Sequence, residues 1–178
     1  MKSKRIRLLM ASAFVAWLAG CASPASRDAL VVDDVSLGAK HPYSVSVSTS
    51  GGGETSAMDY TNISNEDLAA AIEESITTSG LFSSVIKGDG ADYKLRVSLV
   101  SMSKPMFGFS FKIDMEMAWS LVNERTGEAI MRESIQSTYT ATAGEAFAAV
   151  TKIRIAVEGA AQNNIREGLK KIAALSLN

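Results

Sequence analysis

The chain has 178 residues, 47% of them hydrophobic and 21% charged, and its formal net charge is −1 at pH 7. The balanced charge argues against nucleic acid as a partner, and the length suits one small domain. Cys21 is the only cysteine, which excludes a disulfide within the chain.

Residues 1–20 have the three parts of an export signal. Residues 1–7 carry four positive charges and no acid, and residues 8–19 form an apolar run that only Ser12 interrupts. A transmembrane helix is the alternative, but such a run rises only about 18 Å, which is short of a hydrocarbon core of about 30 Å. We therefore predict a signal peptide over residues 1–20.

The end of this segment, Leu18-Ala19-Gly20-Cys21, resembles the lipobox of bacterial lipoproteins. The resemblance implies that the Cys21 thiol receives a diacylglycerol, that a peptidase cleaves before it, and that the new amine is acylated, for example with palmitate. The chemistry requires cysteine, because a thiolate is strongly nucleophilic and forms the thioether. Ordinary cleavage that leaves a free Cys21 is the alternative.

The residue after Cys21 implies where the protein is sorted. In lipoproteins of the enteric type an Asp at this position retains the protein at the inner membrane, and here the residue is Ala22. The resemblance therefore implies a lipid anchor in the outer membrane with the domain facing the periplasm. The inner membrane is the less favoured alternative.

Residues 21–42 have the composition of a tether between the lipidated Cys21 and a single domain over residues 43–178. They are rich in Ala, Ser and Asp and contain Pro24 and Pro42. As a flexible coil this tether would span about 25 Å. A short edge strand over residues 30–35 is the alternative. The mature chain has a net charge of −5, because residues 1–20 remove four of the 18 basic residues and no acid.

The first half of the domain predicts a strand and then a helix. Tyr43, Val45 and Val47 alternate with serines, which is typical of a half-buried strand. Ser64 then has the position of a helix N-cap, and Gly80 is placed to end the helix. The predicted buried stripe of this helix is Leu68, Ala71, Ile72 and Ile76.

Two long strands follow, after extended chain near residues 81–86. Residues 93–99 alternate, and every odd residue from Phe107 to Leu121 is apolar. A hairpin centred on Pro105 places Lys94 opposite Glu116 and Arg96 opposite Asp114 as cross-strand ion pairs, and we predict this register. The apolar face of the second strand comprises Phe107, Phe109, Phe111, Ile113, Met115, Met117, Trp119 and Leu121.

The last third predicts one more strand, over residues 128–141, and a long C-terminal helix. The helix carries an apolar stripe of Val150, Ile153, Val157, Ala161, Ile165, Leu169 and Ile172. The predicted fold class is α+β. It is a two-layer α/β sandwich of order β-α-β-β-β-α, with a mostly antiparallel sheet and two helices on one face.

Few residues suggest catalysis. His41 is the only histidine, and we interpret it as a solvated linker residue. Residues 49–56 are rich in glycine but lack the Gly-Lys-Ser/Thr ending of a phosphate-binding loop. Asp114 and Glu116 lie two apart on one strand, which does not offer the six or more oxygens that calcium requires. We predict no enzyme, no metal and no cofactor.

Two surfaces are candidates for contact with a partner. The hairpin tip carries Met102, Pro105, Met106 and Phe107, which either cap the core or contact a protein or a lipid. The Ser/Thr-rich strand that contains Thr138 could be an open sheet edge that accepts a strand from a partner.

The chain resembles the YajG-type envelope lipoproteins, and more distantly LptE and PqiC, the lipoprotein components of outer-membrane assembly and transport systems. The match is carried by the helix entry at residues 63–67 and by Ser79-Gly80-Leu81-Phe82-Ser83-Ser84-Val85. It implies location more than mechanism, because a fold does not fix its site. We expect a non-enzymatic binding module of an envelope complex. A carrier of lipid or lipopolysaccharide is the alternative.

Overall fold

The computed structural model describes residues 25–35, 37–38, 40–53, 62–103 and 110–178. A long strand, a helix and four further strands precede a C-terminal helix of 25 residues. The elements are α1 (Arg27–Leu30), β1 (His41–Ser50), α2 (Asn65–Ser79), β2 (Phe82–Val85), β3 (Tyr93–Met102), β4 (Phe111–Asn123), β5 (Ala129–Ala141) and α3 (Ala149–Ala173).

The five strands form one mixed sheet in the order β2-β1-β3-β4-β5. β1 pairs in parallel with both β2 and β3, whereas β3-β4 and β4-β5 are antiparallel. The α+β class is confirmed, but the prediction of a mostly antiparallel sheet is wrong. The predicted order also omitted the short strand β2 and the short helix α1. The helix α2 returns the chain to the end where β1 began, and this crossover makes β1 and β2 parallel.

Helix α2 begins and ends as its sequence predicts. The Ser64 side chain accepts a hydrogen bond from the Asp67 N–H at 2.9 Å. Gly80 takes a left-handed conformation with φ of 63°, and its N–H is directed to the carbonyls of Ile76 and Thr77. The predicted stripe of Leu68, Ala71, Ile72 and Ile76 is fully buried.

The alternation of β4 is confirmed over the described part of the strand. The odd residues from Phe111 to Leu121 are all buried against the helices, and the even residues lie on the other face. Phe107 and Phe109 lie outside the described residues.

The predicted register between β3 and β4 is wrong by six residues. Lys94 lies opposite Val122 and Arg96 opposite Ser120, so neither meets Glu116 or Asp114. β3 ends at Met102 and β4 begins at Phe111. The paired residues are centred on position 108 rather than on Pro105, as in Tyr93 opposite Asn123. A shift by an even number of residues leaves every side chain on its own face, so the apolar pattern could not reveal the error.

The helices cover one face of the sheet at two separate places. α2 packs over β1 and β2, and α3 packs over β4 and β5. Glycines bring α3 very close to the sheet. A Cβ built on Gly168 would lie 2.6 Å from the Trp119 ring, and one on Gly159 would lie 2.4 Å from the Tyr139 ring. The two rings therefore pack directly on the helix backbone.

The N-terminal segment, residues 25–35, fills the space between α2 and α3. Its helix α1 contacts both longer helices. The Val32 N–H donates to Ser75 Oγ of α2 at 2.9 Å. On the other side, the guanidinium of Arg166 on α3 donates to both carboxylate oxygens of Asp34, at 2.9 and 3.1 Å. The segment is thus a third element of the helix layer.

This finding corrects the predicted tether of residues 21–42. Leu30 and Val32 have exposures of 0% and 1%, and they belong to the same apolar cluster as the sheet. The alternative of an edge strand over residues 30–35 is also not observed, because α1 ends at Leu30 and the chain then continues without strand pairing. β1 begins at His41, and the docked segment already begins at Ala25, so the folded domain starts well before residue 43. Burial of these apolar side chains is the physical reason that the segment docks.

We predict that Leu30→Ala destabilises the mature protein. In a free tether the same change would leave the stability of the domain unaltered. Leu30 is fully buried, and truncation of a buried leucine costs about 2–5 kcal/mol. Urea unfolding measures the difference. The exposed Asp33 provides the control, and Asp33→Ala should change the stability by less than about 0.5 kcal/mol. Equal stability of Leu30→Ala and the wild type would contradict the docked position.

Candidate functional site

The fold leaves the second face of the sheet open. No helix of the described residues packs on it, since α1, α2 and α3 all lie on the other face. The surface, which we call the open face, is formed mainly by even-numbered side chains of β3, β4 and β5, with Ser50 of β1 at its border. These are Lys94, Arg96, Ser98, Lys112, Asp114, Glu116, Ala118, Ser120, Arg132, Ser134, Gln136, Thr138 and Thr140.

Two arginines face each other across one strand of the open face. Arg96 lies opposite Ser120 of β4, and Ser120 lies opposite Arg132 of β5. The arginine backbones are therefore about 10 Å apart, which is two strand spacings. Both side chains are exposed, and neither makes an ion pair or hydrogen bond with a residue in the described part of the chain.

A groove of about 610 Å³ lies between these arginines. Besides the two guanidinium groups it is lined by serines at four positions on four strands, and Ser50 and Ser98 are joined by a hydrogen bond of 3.0 Å between their hydroxyls. Glu133 also lines the groove, and its carboxylate is paired with Lys171 of α3 at 3.7 Å. Guanidinium and hydroxyl groups donate hydrogen bonds to carboxylate and phosphate oxygens. The groove is therefore suited to an anionic group. The four serines are Ser50, Ser98, Ser120 and Ser134.

The other end of the open face is acidic. A second groove, of about 650 Å³, is lined by Asp114, Glu116 and Thr138 among others. Lys112 Nζ lies 2.8 Å from Asp114, and together with Thr138 it holds the pKa of the Asp114 carboxyl below its usual value. Glu116 accepts a hydrogen bond from the Ser134 hydroxyl. The open face thus carries unlike charges at its two ends.

The predicted contact residues are only partly within the described structure. Met102 is half-buried at the end of β3, where it packs on the core and also lines the acidic groove. Thr138 is exposed on the open face. Met106 and Phe107 lie outside the described residues, as do Pro105 and the lipobox residues Leu18, Ala19, Gly20 and Cys21. All of them remain predictions.

β5 lies at an edge of the sheet, as the sequence suggested. Two of its carbonyls are nevertheless occupied by asparagine amides of α3. Asn163 donates to the Thr138 carbonyl at 2.9 Å, and Asn164 donates to the Ile135 carbonyl at 2.8 Å. Residues three apart on a strand direct their carbonyls to opposite sides, so one of these contacts occupies a backbone group on the free edge. Because part of the free edge is occupied, the open face is the better candidate surface.

Asn164 is a structural residue that the sequence reasoning missed. It is fully buried, and its Oδ1 accepts a hydrogen bond of 2.9 Å from the Trp119 indole N–H. It therefore joins β4, β5 and α3 through one amide. A signal was present, since Asn164 is a polar residue inside an apolar helical stripe, next to Ala161 and Ile165.

His41 is not the solvated residue that the sequence suggested. It is 6% exposed, its Nε2 lies 3.0 Å from the Ile172 carbonyl, and its ring packs on Phe82. His41 begins β1 and therefore points into the layer between sheet and helix, so it connects the two layers. Among the described residues, no three histidine, cysteine or acidic side chains cluster in a way that could hold a metal ion.

Comparison with known proteins identifies the fold. No protein-family model matches the sequence, and no curated protein matches it either. The structure is similar to that of protein XCC0632 from Xanthomonas campestris, which is described by family-model DUF330. The TM-score is 0.61 and the identity 12%, over 79% of this chain and 89% of that one.

Two further solved structures have related shapes. A PelC dodecamer from Paraburkholderia phytofirmans aligns with a TM-score of 0.53 and 14% identity, over 78% of this chain and 91% of that one. A candidate lipoprotein from Caulobacter crescentus has 18% identity over 71% of this chain and 87% of its own, but its TM-score of 0.48 is too low to support an argument. At these identities the likeness concerns the fold alone, and the resemblance to YajG-type proteins stays a prediction.

None of the helices in the described part of the chain is long and apolar enough to span a bilayer.

We predict that Asn164→Leu destabilises the protein although leucine has a similar volume. The change leaves the Trp119 N–H and the Ile135 carbonyl without their partner, and each buried group left unpaired costs about 1–3 kcal/mol. The neighbouring Asn163 is exposed, so Asn163→Leu is the matched control, and its freed partners can bond to water. Equal losses of unfolding free energy for the two variants would contradict the role of Asn164.

Proposed function

We propose that this protein is a lipid-anchored lipoprotein of the bacterial envelope. Its domain faces the periplasm and acts as a non-enzymatic accessory module that binds a protein component through the open face. The lipobox-like sequence at residues 18–21 supports the anchor. The outer membrane is the proposed location, because Ala22 follows Cys21.

The observation that carries the proposal is the pair of exposed arginines, Arg96 and Arg132, on an otherwise largely uncharged stretch of the open face. The protein leaves both side chains without an acidic partner in the described residues. A partner with a carboxylate at this position would gain charge-assisted hydrogen bonds from one or both guanidinium groups. The serines between them leave room for an extended segment of the partner to approach the sheet.

The position of the anchor is compatible with this use of the open face. The chain toward Cys21 leaves the domain from the helix layer, where Ala25 and Leu30 are buried. The open face lies on the opposite side of the sheet. A membrane that holds Cys21 therefore does not need to cover the surface that binds the partner.

A carrier of lipid between sheet and helices has less support. At Gly159 and Gly168 the Tyr139 and Trp119 rings already contact the helix backbone, and an acyl chain would have to displace these rings. Lipid that co-purifies with the soluble domain would favour the carrier over the accessory module.

Photo-crosslinking in cells tests the proposed function. A photoreactive residue is placed at Ser98, and the charge-reversed pair Arg96→Glu and Arg132→Glu is compared with the wild type. We expect a discrete crosslink to one envelope protein, and we expect the charge reversal to reduce its yield by at least about tenfold, which corresponds to 1.4 kcal/mol.

The matched control is Lys170→Glu, which makes the same change of charge on an exposed residue of α3. It should leave the crosslink unchanged. No crosslink from Ser98, or a yield that the two arginine variants do not reduce, would contradict binding through this face.

A further inference from the structure

The loop between β5 and α3, residues 142–148, is an exposed segment with few polar side chains. Its sequence is Thr-Ala-Gly-Glu-Ala-Phe-Ala. Phe147 is 107% exposed, which makes it the most exposed large hydrophobic side chain of the described residues. A fully exposed phenyl ring gains free energy when it moves from water into an apolar environment.

The single charged residue of this loop is turned back onto the domain. The Glu145 carboxylate accepts hydrogen bonds from the Thr142 N–H at 2.6 Å, from the Thr142 hydroxyl at 3.0 Å and from the Tyr139 hydroxyl at 2.9 Å. The Thr142 N–H, followed by the Tyr139 hydroxyl, holds the pKa of Glu145 below its usual value. The loop therefore presents Phe147 and alanines outward, and its charge is already satisfied.

The N-terminal segment shows on which side of the domain the anchor lies. The segment runs along α3 from its first half toward its end. The Ser26 N–H is directed to Glu158, Asp34 pairs with Arg166, and His41 contacts Ile172. Followed backward, the chain moves toward the N-terminal end of α3, where the loop lies.

The distances allow Cys21 and Phe147 to meet the same surface. Glu158 lies nine residues after Ala149, so it is about 14 Å below the first residue of α3. Cys21 precedes Ser26 by five residues, which reach at most about 17 Å when extended. The anchor can therefore stand at the level of the loop.

We propose that the loop at residues 142–148, led by Phe147, inserts into the lipid surface that holds Cys21. This inference rests on the proposed lipid anchor. A phenyl ring needs no hydrogen bond, and small residues beside it let the loop approach the headgroups closely. Phe147 thereby adds a second membrane contact to the one made by the acyl chains on Cys21. Two contacts fix the orientation of the domain on the membrane.

Tryptophan fluorescence tests the insertion in the full lipidated chain. After signal removal the only tryptophan is Trp119, which is 1% exposed and gives a constant background. Phe147→Trp is reconstituted in vesicles of phosphatidylethanolamine and phosphatidylglycerol, with and without brominated acyl chains. We expect the lipidated Phe147→Trp protein in vesicles to emit at shorter wavelength than the same variant with Cys21→Ala in detergent-free buffer. We also expect the brominated vesicles to quench the emission of the lipidated protein.

The matched control is Glu124→Trp, because Glu124 is exposed in the β4-β5 turn at the opposite end of the sheet. Its emission should be unaffected by bromine. Vesicle flotation separates the two proposals, since a protein that does not float has no anchor. A protein that floats while Trp at position 147 is quenched no more than Trp at position 124 would overturn the insertion alone.

Discussion

The helix layer of this protein depends on a piece of chain that belongs to neither of its long helices. α2 and α3 cover the two halves of one face of the sheet, and residues 25–35 fill the space between them. Without this segment, the apolar cluster would lose the buried side chains of Leu30 and Val32, and Ser75 of α2 and Arg166 of α3 would lose their partners. The same segment leads directly to Cys21. If Cys21 carries the proposed lipid, the docking of this segment also sets the distance of the domain from the membrane.

Much of the fold follows from local patterns in the sequence. The alternation of β4 and the capping residues Ser64 and Gly80 predict their elements because each pattern acts within a few residues. The mixed sheet was missed because pairing direction depends on how β1 and β3 meet, which involves residues far apart in sequence. The docked segment was missed because Leu30 and Val32 are too few to form a periodic pattern, and their burial depends on a gap between two distant helices.

The candidate site was less predictable than the fold. The polar residues of β3, β4 and β5 were correctly expected on one face, because a strand has a period of two. The predicted pairing of Arg96 with Asp114 was wrong, because the register differs by six residues. The apolar pattern could not reveal this error, because a shift of six residues moves no side chain to the other face. That shift is what leaves Arg96 beside Ser120 and Arg132 and creates the basic groove. Asn164 and Phe147 required the structure, because the burial of one and the exposure of the other are set by tertiary packing.

Docking of residues 25–35 implies that at most a few residues separate the domain from the lipid anchor proposed at Cys21. Neutron reflectometry of the lipidated chain on a supported bilayer measures the distance between the headgroups and the protein density. If the segment is docked, the density of the domain begins at the headgroups, with no hydrated layer between them. A water-filled gap of about 25 Å, the span of residues 21–42 as a flexible tether, would contradict the docked position of the segment.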